Sequence, residues 1–467
     1  MSVSLVLAWS GCNHRSSAPS AAPSIQPAQW APVGHAPVDL KSFGARGDGI
    51  SDDTAAFQAA VNAAAGGTLL VPAGDYSVGT VHLTSGSTHI VGAGPSSRLV
   101  ARMPDSAVMV IGDCDHAWIE KLQIVAAAGD RTGVGVSATG SRFLSVVGCT
   151  LFGFGRAGIL TRGGSDIALK GNVIVGNGDA ATQDSNGIYC ASGSGANSNV
   201  RVEGNDVSRT GQGIASGPLQ KLTVVGNTIH DITGALAQHG MYIASNSAAI
   251  AENHVRTVKL CGIKVMSAAT DQSSVLVWKN QIDGGWDGSN GLGGGAGVEV
   301  DGPGDKVHTL RDAAIAGNTI KSMRGYGVSV GNSTLGVSLL DNDISNVASS
   351  GIICQQSAQA ITILRNSLRN VAVGQSGNGV QFSTGSFTGL VIQDNTFDGV
   401  PAGRWNISLA HASHVLATGN RMVGAAGAGA LAVEDSSDLV LLDNKSDNTA
   451  VRLPTTAVTS HSGNSWE

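Results

Sequence analysis

The chain has 467 residues, of which 65 are glycine, while charged residues make up 13% and aromatics 4%. Its 42% hydrophobic content is too high, and its charge too low, for a disordered chain; its glycines keep no every-third spacing, which excludes collagen, and it is poor in Glu, Lys and Arg, which excludes long helical bundles. A net charge of −6 without a Lys/Arg run excludes a duplex nucleic-acid partner, and no apolar stretch reaches the ~20 residues of a membrane span.

In chain order, residues 1–12 are short and apolar, and their small residues lead into Cys12. This resembles a bacterial lipoprotein signal with a lipidated cysteine, although Trp9 and the missing positive start depart from that pattern. The expectation is an exported protein, either secreted or held at the cell surface or in the periplasm through a lipid anchor on Cys12. Residues 13–37, rich in Ser, Ala, Pro and Gln, read as a flexible linker. Residues 38–467 read as one repeat domain. The six cysteines, Cys12, Cys114, Cys149, Cys190, Cys261 and Cys354, are scattered with no metal-ligand spacing, so buried thiols are expected.

Within 51–65, Thr54–Ala65 reads as a helix with Phe57 and Val61 on one face, Asp52 or Asp53 as N-cap, and Gly66 as its stop. From there an internal repeat governs the chain. Alternating apolar runs end in an asparagine followed, one residue later, by another apolar residue, as in Leu222–Ile229, Val275–Ile282 and Val337–Ile344. Twelve asparagines (172, 205, 227, 253, 280, 318, 342, 366, 395, 420, 444 and 464) mark this register at steps of 20 to 38 residues, and Cys149 holds the same slot one coil earlier. A second run follows each time: a small residue, an inward apolar, an outward residue and an inward apolar, as in Gly240–Ile243, Gly262–Val265 and Gly297–Val300. Short strands recurring in coils of this length predict an all-β, right-handed parallel β-helix solenoid with a short N-terminal capping helix. The asparagines read as a scaffold ladder that also takes up the left-handed bends.

Val38–Phe57 (VDLKSFGARGDGISDDTAAF) and Gly67–Tyr76 (GTLLVPAGDY) resemble the N-terminal coil of the pectate-lyase-like superfamily, which includes rhamnogalacturonases, polygalacturonases, alginate epimerases, pectate lyases and phage tailspikes. The resemblance implies a β-helix that acts on, or binds, polysaccharide. It does not name the reaction. Polygalacturonases carry Asn-Thr-Asp, Asp-Asp, Gly-His-Gly and Arg-Ile-Lys on consecutive rungs. The corresponding rungs here keep His239–Gly240 and Lys264, but Gly187, Gln212 and Gly213 stand nearest the slots of the aspartates. The Asp-Pro-His motif of the alginate epimerases is also absent.

Reading the outward position of the second run gives Tyr189, Ala215, Tyr242, Lys264, Glu299, Ser329, Ile353, Gln381 and Ser408. At ~4.8 Å per rung, His239, Tyr242, Lys264 and Glu299 are expected to converge as a catalytic cluster, with Tyr189, Trp286, Asp301, Gln355 and Gln381 as substrate-binding candidates. Long loops at 179–199 and 283–313 flank this cluster. Removal of a proton α to a carboxylate needs a cation, for which Lys264 stands, and a base and an acid, for which Tyr242 and His239 stand. Each residue has a structural alternative: His239 bonding a turn carbonyl, Tyr242 packing on Tyr189 or Lys264, and Lys264 with Glu299 as an inter-rung ion pair. The leading expectation is a lyase or C5-epimerase of an acidic polysaccharide. The alternatives are a glycoside hydrolase using Glu299 and Asp301, or a non-catalytic surface protein that binds polysaccharide. No cofactor is indicated, and no motif names a metal, although Glu299 and Asp301 are also the one pair suited to Ca²⁺. The oligomeric state is not encoded in any motif.

Overall fold

The computed structural model describes residues 36–84, 87–178, 185–193, 198–233, 238–266, 271–302, 307–374, 376–423, 427–447, 450–453 and 458–466. Within them the chain winds as a parallel β-helix. Each coil contributes strands to three long sheets, here the first (19 strands), the second (17 strands) and the third (15 strands). Each strand pairs in parallel with its counterpart one coil away, as Asn186–Ala191 does with Ala157–Arg162 and Gln212–Ser216. Inward residues stack in files between the sheets. In the third sheet Ile188, Ile214, Met241, Ile263, Val298 and Val328 follow one another at 0–1% exposure. Each such side chain contributes roughly 1.5–3 kcal/mol through burial.

Two columns explain why the repeat takes this sequence. The twelve asparagines form an unbroken hydrogen-bonded ladder. Asn253, for example, donates its backbone N–H and its Nδ2 to Asn280 Oδ1 (3.0 and 2.9 Å), while Asn280 Nδ2 donates to Ile250 O and to Asn318 Oδ1. Cys149 N donates to Asn172 Oδ1, so the cysteine does occupy the slot at the head of the ladder. The asparagines are not the left-handed residues, however. That conformation falls on the residue just before, as at Gly226 (φ 63°), Lys279 (φ 52°) and Asp341 (φ 54°). The bend must precede the amide if the side chain is to point inward along the axis.

The second column is the glycine that opens each third-sheet run. A Cβ on Gly262 would lie 2.4 Å from Ile282 Cγ2 and 2.7 Å from Gly297 O on the next rung. Close approach of coils, rather than a special backbone angle, requires glycine here.

At the N-terminal end, helix α1 spans Thr54–Ala63 and buries Phe57, Ala60 and Val61. It ends two residues before the expected Ala65. Asp53 holds the N-cap position, but its carboxylate accepts the Arg46 and Gly47 N–H groups instead; Asp52 Oδ1 accepts Thr54 N–H. Gln58 of α1 bonds both the C=O and the N–H of His82, the middle residue of the outermost third-sheet strand, Val81–Leu83. The helix therefore satisfies a strand edge that would otherwise be open to pairing. Cys114, Cys149, Cys190, Cys261 and Cys354 are free and buried; Cys12 lies outside the described residues.

Candidate functional site

The expected outward column of the third sheet is one continuous register: Tyr189, Ala215, Tyr242, Lys264, Glu299, Ser329, Ile353, Gln381 and Ser408 are paired rung to rung, and Leu160 extends the column one rung earlier. Tyr242, Lys264 and Glu299 thus occupy three consecutive rungs, on strands Met241–Ile243, Ile263–Met266 and Ala296–Asp301. His239, three residues before Tyr242, brings its ring to 6.0 Å from the Tyr242 ring. The four candidate catalytic residues do form one cluster.

Its chemistry is set by burial. Lys264 Nζ donates to Glu299 Oε1 at 2.6 Å, with both side chains 18% exposed. Burial works against the Lys264 charge, yet the Glu299 carboxylate outweighs it and lifts the ammonium above its ordinary pKa. Glu299 moves down: burial would raise it, but hydrogen bonds from Lys264 and Cys261 dominate. The cluster is therefore a mostly buried pair with its charges in place, not a loose surface contact of the kind worth little.

His239 is 7% exposed. Burial, reinforced by Lys264 and opposed by Glu299, lowers its pKa to about 4. Its Nδ1 accepts the Cys261 backbone N–H at 3.4 Å rather than bonding a turn carbonyl. The ring is thus neutral and, by that hydrogen bond, carries its proton on Nε2. Asp301, two residues after Glu299 on the same face, has its pKa raised to about 6 by burial and by the Glu299 charge.

Sequence reading missed Cys261. Its buried thiol donates to Glu299 Oε2 at 3.0 Å and fixes the carboxylate from the side opposite Lys264. The available signal was positional: Cys261 directly precedes Gly262, the slot His239 holds before Gly240.

The remaining candidates are spread along the rod. Tyr189 lies two rungs from Tyr242, with Ala215 between, and packs beside Val134, Ala157 and Leu160. Tyr242 therefore does not pack on Tyr189. Gln381 lies three rungs beyond Glu299 and accepts from Ser350 Oγ at 2.7 Å. Gln355 follows strand Ile352–Cys354 and donates its backbone N–H to Val330 O. Trp286 is half-buried in the loop between Gln281–Asp283 and Ala296–Asp301, with its backbone N–H on Ser322 O.

Among the described residues, no group of three or more His, Cys, Asp or Glu side chains is placed to hold a metal ion. Glu299 and Asp301 face Lys264, whose positive charge repels a cation from that pair. No described helix is long and apolar enough to cross a membrane.

Comparison with known proteins agrees with this architecture. Residues 38–264 match the family described as rhamnogalacturonase A/epimerase, pectate lyase-like, and residues 289–410 match the right-handed beta helix region. Mannuronan C5-epimerase AlgE1 of Azotobacter vinelandii is 40% identical over 94 residues, which are 18% of this chain and 7% of that protein. Alginate lyase 7 of the same organism is 36% identical over 107 residues, 20% of this chain and 11% of that protein. Sequence similarity thus reaches only a small part of these relatives' length. The A-module of A. vinelandii mannuronan C-5 epimerase AlgE6 superposes over 91% of this chain and 98% of its own, with a TM-score of 0.50 at 17% identity, a likeness of fold. Across its N-terminal coils and the repeats that continue them, the chain belongs to the pectate-lyase-like superfamily of right-handed parallel β-helix proteins.

Proposed function

We propose that the protein acts on an acidic polysaccharide by β-elimination or C5-epimerisation at the Tyr242–Lys264–Glu299 stack. The observation that carries this reading is the stacking of a phenol, an ammonium and a carboxylate on three consecutive rungs, with a neutral buried imidazole beside them. Both reactions begin by breaking the C–H bond α to the uronate carboxylate, which leaves an enolate whose charge needs a cation. Lys264 suits that task. Glu299 keeps it charged and oriented but occupies one of its three N–H donors, leaving the others for the sugar carboxylate. Tyr242, in register with Lys264 on the neighbouring rung, is assigned the part of the base that takes the proton. His239, neutral with its proton on Nε2, supplies a donor to the enolate or to the departing oxygen. In elimination the C4–O bond then breaks and the leaving oxygen is protonated. In epimerisation a proton returns to the opposite face of C5.

Partial identity to a mannuronan C5-epimerase and an alginate lyase supports the same substrate class. Hydrolysis by Glu299 and Asp301 is disfavoured: Lys264 and Cys261 hold one Glu299 carboxylate oxygen each, leaving neither free to attack a sugar or to activate water.

The test is a substrate panel of pectate, alginate and glycosaminoglycans, read by absorbance of unsaturated ends and by NMR epimer ratio. The wild type should produce one of these signals, and a Tyr242→Phe, Lys264→Ala double variant should lose it by at least about 10³-fold. Full activity of the double variant would remove the assignment. Hydrolytic products without unsaturation or epimer would overturn the reaction class.

A further inference from the structure

The outer face of the first sheet changes character along the rod. Two residues of each strand point outward there, in two columns that keep one register from Trp118 and Glu120 to Val440 and Leu442. On the early rungs these columns hold charges: Glu120, and then Lys170, Arg201 and Glu203, which pair with one another. On the seven rungs from Gln272–Trp278 to Ser437–Leu442 they hold none. Leu276, Trp278, Leu340, Leu364, Leu416 and Leu442 stand there instead, all partly exposed. Among the described residues no helix covers them, since α1 packs on strands at the N-terminal end. A continuous apolar surface of this kind on a folded chain marks a contact with another molecule.

The charges of these rungs sit at the two edges of the face, on left-handed residues that bound each strand. Lys279, Asp341, Arg365 and Asp443 lie at the edge beside the Trp278 column, and Asp312 and His414 at the edge beside the Leu276 column. Lys279 Nζ leans over the face, 4.2 Å from the centre of the Trp278 ring. An apolar centre inside a charged rim is the anatomy of a protein–protein interface. Seven rungs make it about 34 Å long and a span of about five residues makes it ~17 Å wide. That is ~600 Å² for one chain and ~1,200 Å² for a pair, the lower end of a stable interface. Carboxylates outnumber cations on the rim, Asp394 and Asp438 included, which sets the face against an anionic lipid surface or an acidic glycan.

We propose that this face joins two copies of the chain as an antiparallel pair of rods, with the two-fold axis at the middle rung, Thr362–Leu364. The first of the seven rungs then meets the seventh. Trp278 faces Leu442 and Leu276 faces Val440; one rung further in, Ala314 faces Leu416, small against large. Leu364 faces its own copy on the axis. At the edges Lys279 falls opposite Asp443 and Asp312 opposite His414, each twice by symmetry. Arg365, which holds Asp341 within its own chain at 2.7 Å, meets its copy on the axis between carboxylates of both chains. Rods packed in parallel across the same face would instead set Lys279 against Ser274 and Asp443 against Asp438, so charge selects the antiparallel pair. The third sheet, with Lys264 and Glu299, is another side of the coil and stays open in the pair. The inference does not depend on the catalytic reading.

The test is sedimentation velocity of the full chain between about 1 and about 200 µM, where the wild type should pass from monomer to dimer. Leu364→Glu sets two carboxylates against each other on the axis and should raise the dimer Kd by about tenfold or more. Val147→Glu, outward on the charged rungs of the same sheet, should leave Kd within about twofold. Lys279→Glu and Asp443→Lys should each weaken the dimer, and the two together should restore it to within about threefold, because the exchanged charges meet again only in the antiparallel register. Both positions are exposed, so the exchange leaves the core untouched, and an unchanged urea midpoint for Leu364→Glu shows that it folds. A dimer that Leu364→Glu leaves intact would overturn the proposal. Loss in Leu364→Glu without rescue by the exchange would uphold the face and overturn the antiparallel register. A wild type that is monomeric throughout would overturn the second copy as occupant, and retention on anionic vesicles or alginate that Leu364→Glu abolishes would then name the occupant instead.

Discussion

Two columns run the length of this rod and obey opposite rules. In the asparagine column the same residue, in the same three-way hydrogen-bonding arrangement, recurs from Asn172 to Asn464. In the outward column of the third sheet nearly every rung differs, from Leu160 through Tyr242, Lys264 and Glu299 to Gln381. Identity repeated along a solenoid marks a position whose partner is its own copy. Where identity breaks, the surroundings change from rung to rung: Leu160, Ala215, Ser329 and Ile353 are buried, whereas Tyr189, Tyr242, Lys264, Glu299 and Gln381 are partly exposed. The contrast explains how one scaffold carries a localised site: the ladder fixes rung spacing, and the free column fills it.

The sharpest way to break the comparison is to cut the ladder in its middle. Asn280→Ala removes the acceptor of Asn253 N and Nδ2 and the donor to Ile250 O and Asn318 Oδ1, at a position with 0% exposure. Leaving such groups unpaired should cost on the order of 4 kcal/mol in urea denaturation. Asn464→Ala, at the half-exposed end of the same ladder, should cost about 1 kcal/mol, because water replaces the lost partner. Equal costs would mean that the ladder does not act through burial.

A smaller effect separates the two uses of glycine. Gly262→Ala must push Ile282 and the Gly297 carbonyl aside, and should lose about 1–3 kcal/mol through overpacking. Gly226→Ala meets nothing within 4 Å and pays only for its φ of 63°, about 1 kcal/mol. A larger loss at Gly226 would show that bends, not inter-coil contacts, set the register.

The repeat made the fold legible, because each inward or ladder position is determined by chain-local pattern. It also predicted which outward residues share a column, since a period-two strand in a fixed register leaves no freedom: Tyr242, Lys264 and Glu299 fall on successive rungs as expected. What the pattern could not convey is the environment. Outward position suggested exposure, yet the Lys264–Glu299 pair is mostly buried, because Cys261 and Asp301 close around it from their own rungs. Likewise, the left-handed bend belongs to Gly226 or Lys279 rather than to the asparagine that follows, a one-residue displacement that strand periodicity does not resolve.

The effect that is smallest in the wild type, where two opposed shifts nearly cancel, tests the columns by titration. The asparagine ladder has no ionisable group, so of these two columns only the face responds to pH between 4 and 6.5. His239 titrates near 4 in the folded protein against an ordinary 6.5, because burial and Lys264 oppose its charge. Its neutral form therefore adds stability that is complete above pH 6.5 and is lost as pH falls toward 4. Asp301 titrates near 6 against 3.8, through burial and the Glu299 charge. Its contribution is complete below 3.8 and is lost as pH rises toward 6. The two nearly cancel in the wild type. Relative to wild type, His239→Gln should gain stability as pH falls from 6.5 to 4, and Asp301→Asn should gain it as pH rises from 4 to 6, each by on the order of 2 kcal/mol. Urea denaturation at half-unit pH steps would show two lines of opposite slope. Parallel or flat lines would mean that these two groups do not share the buried electrostatic environment that distinguishes this face from the ladder.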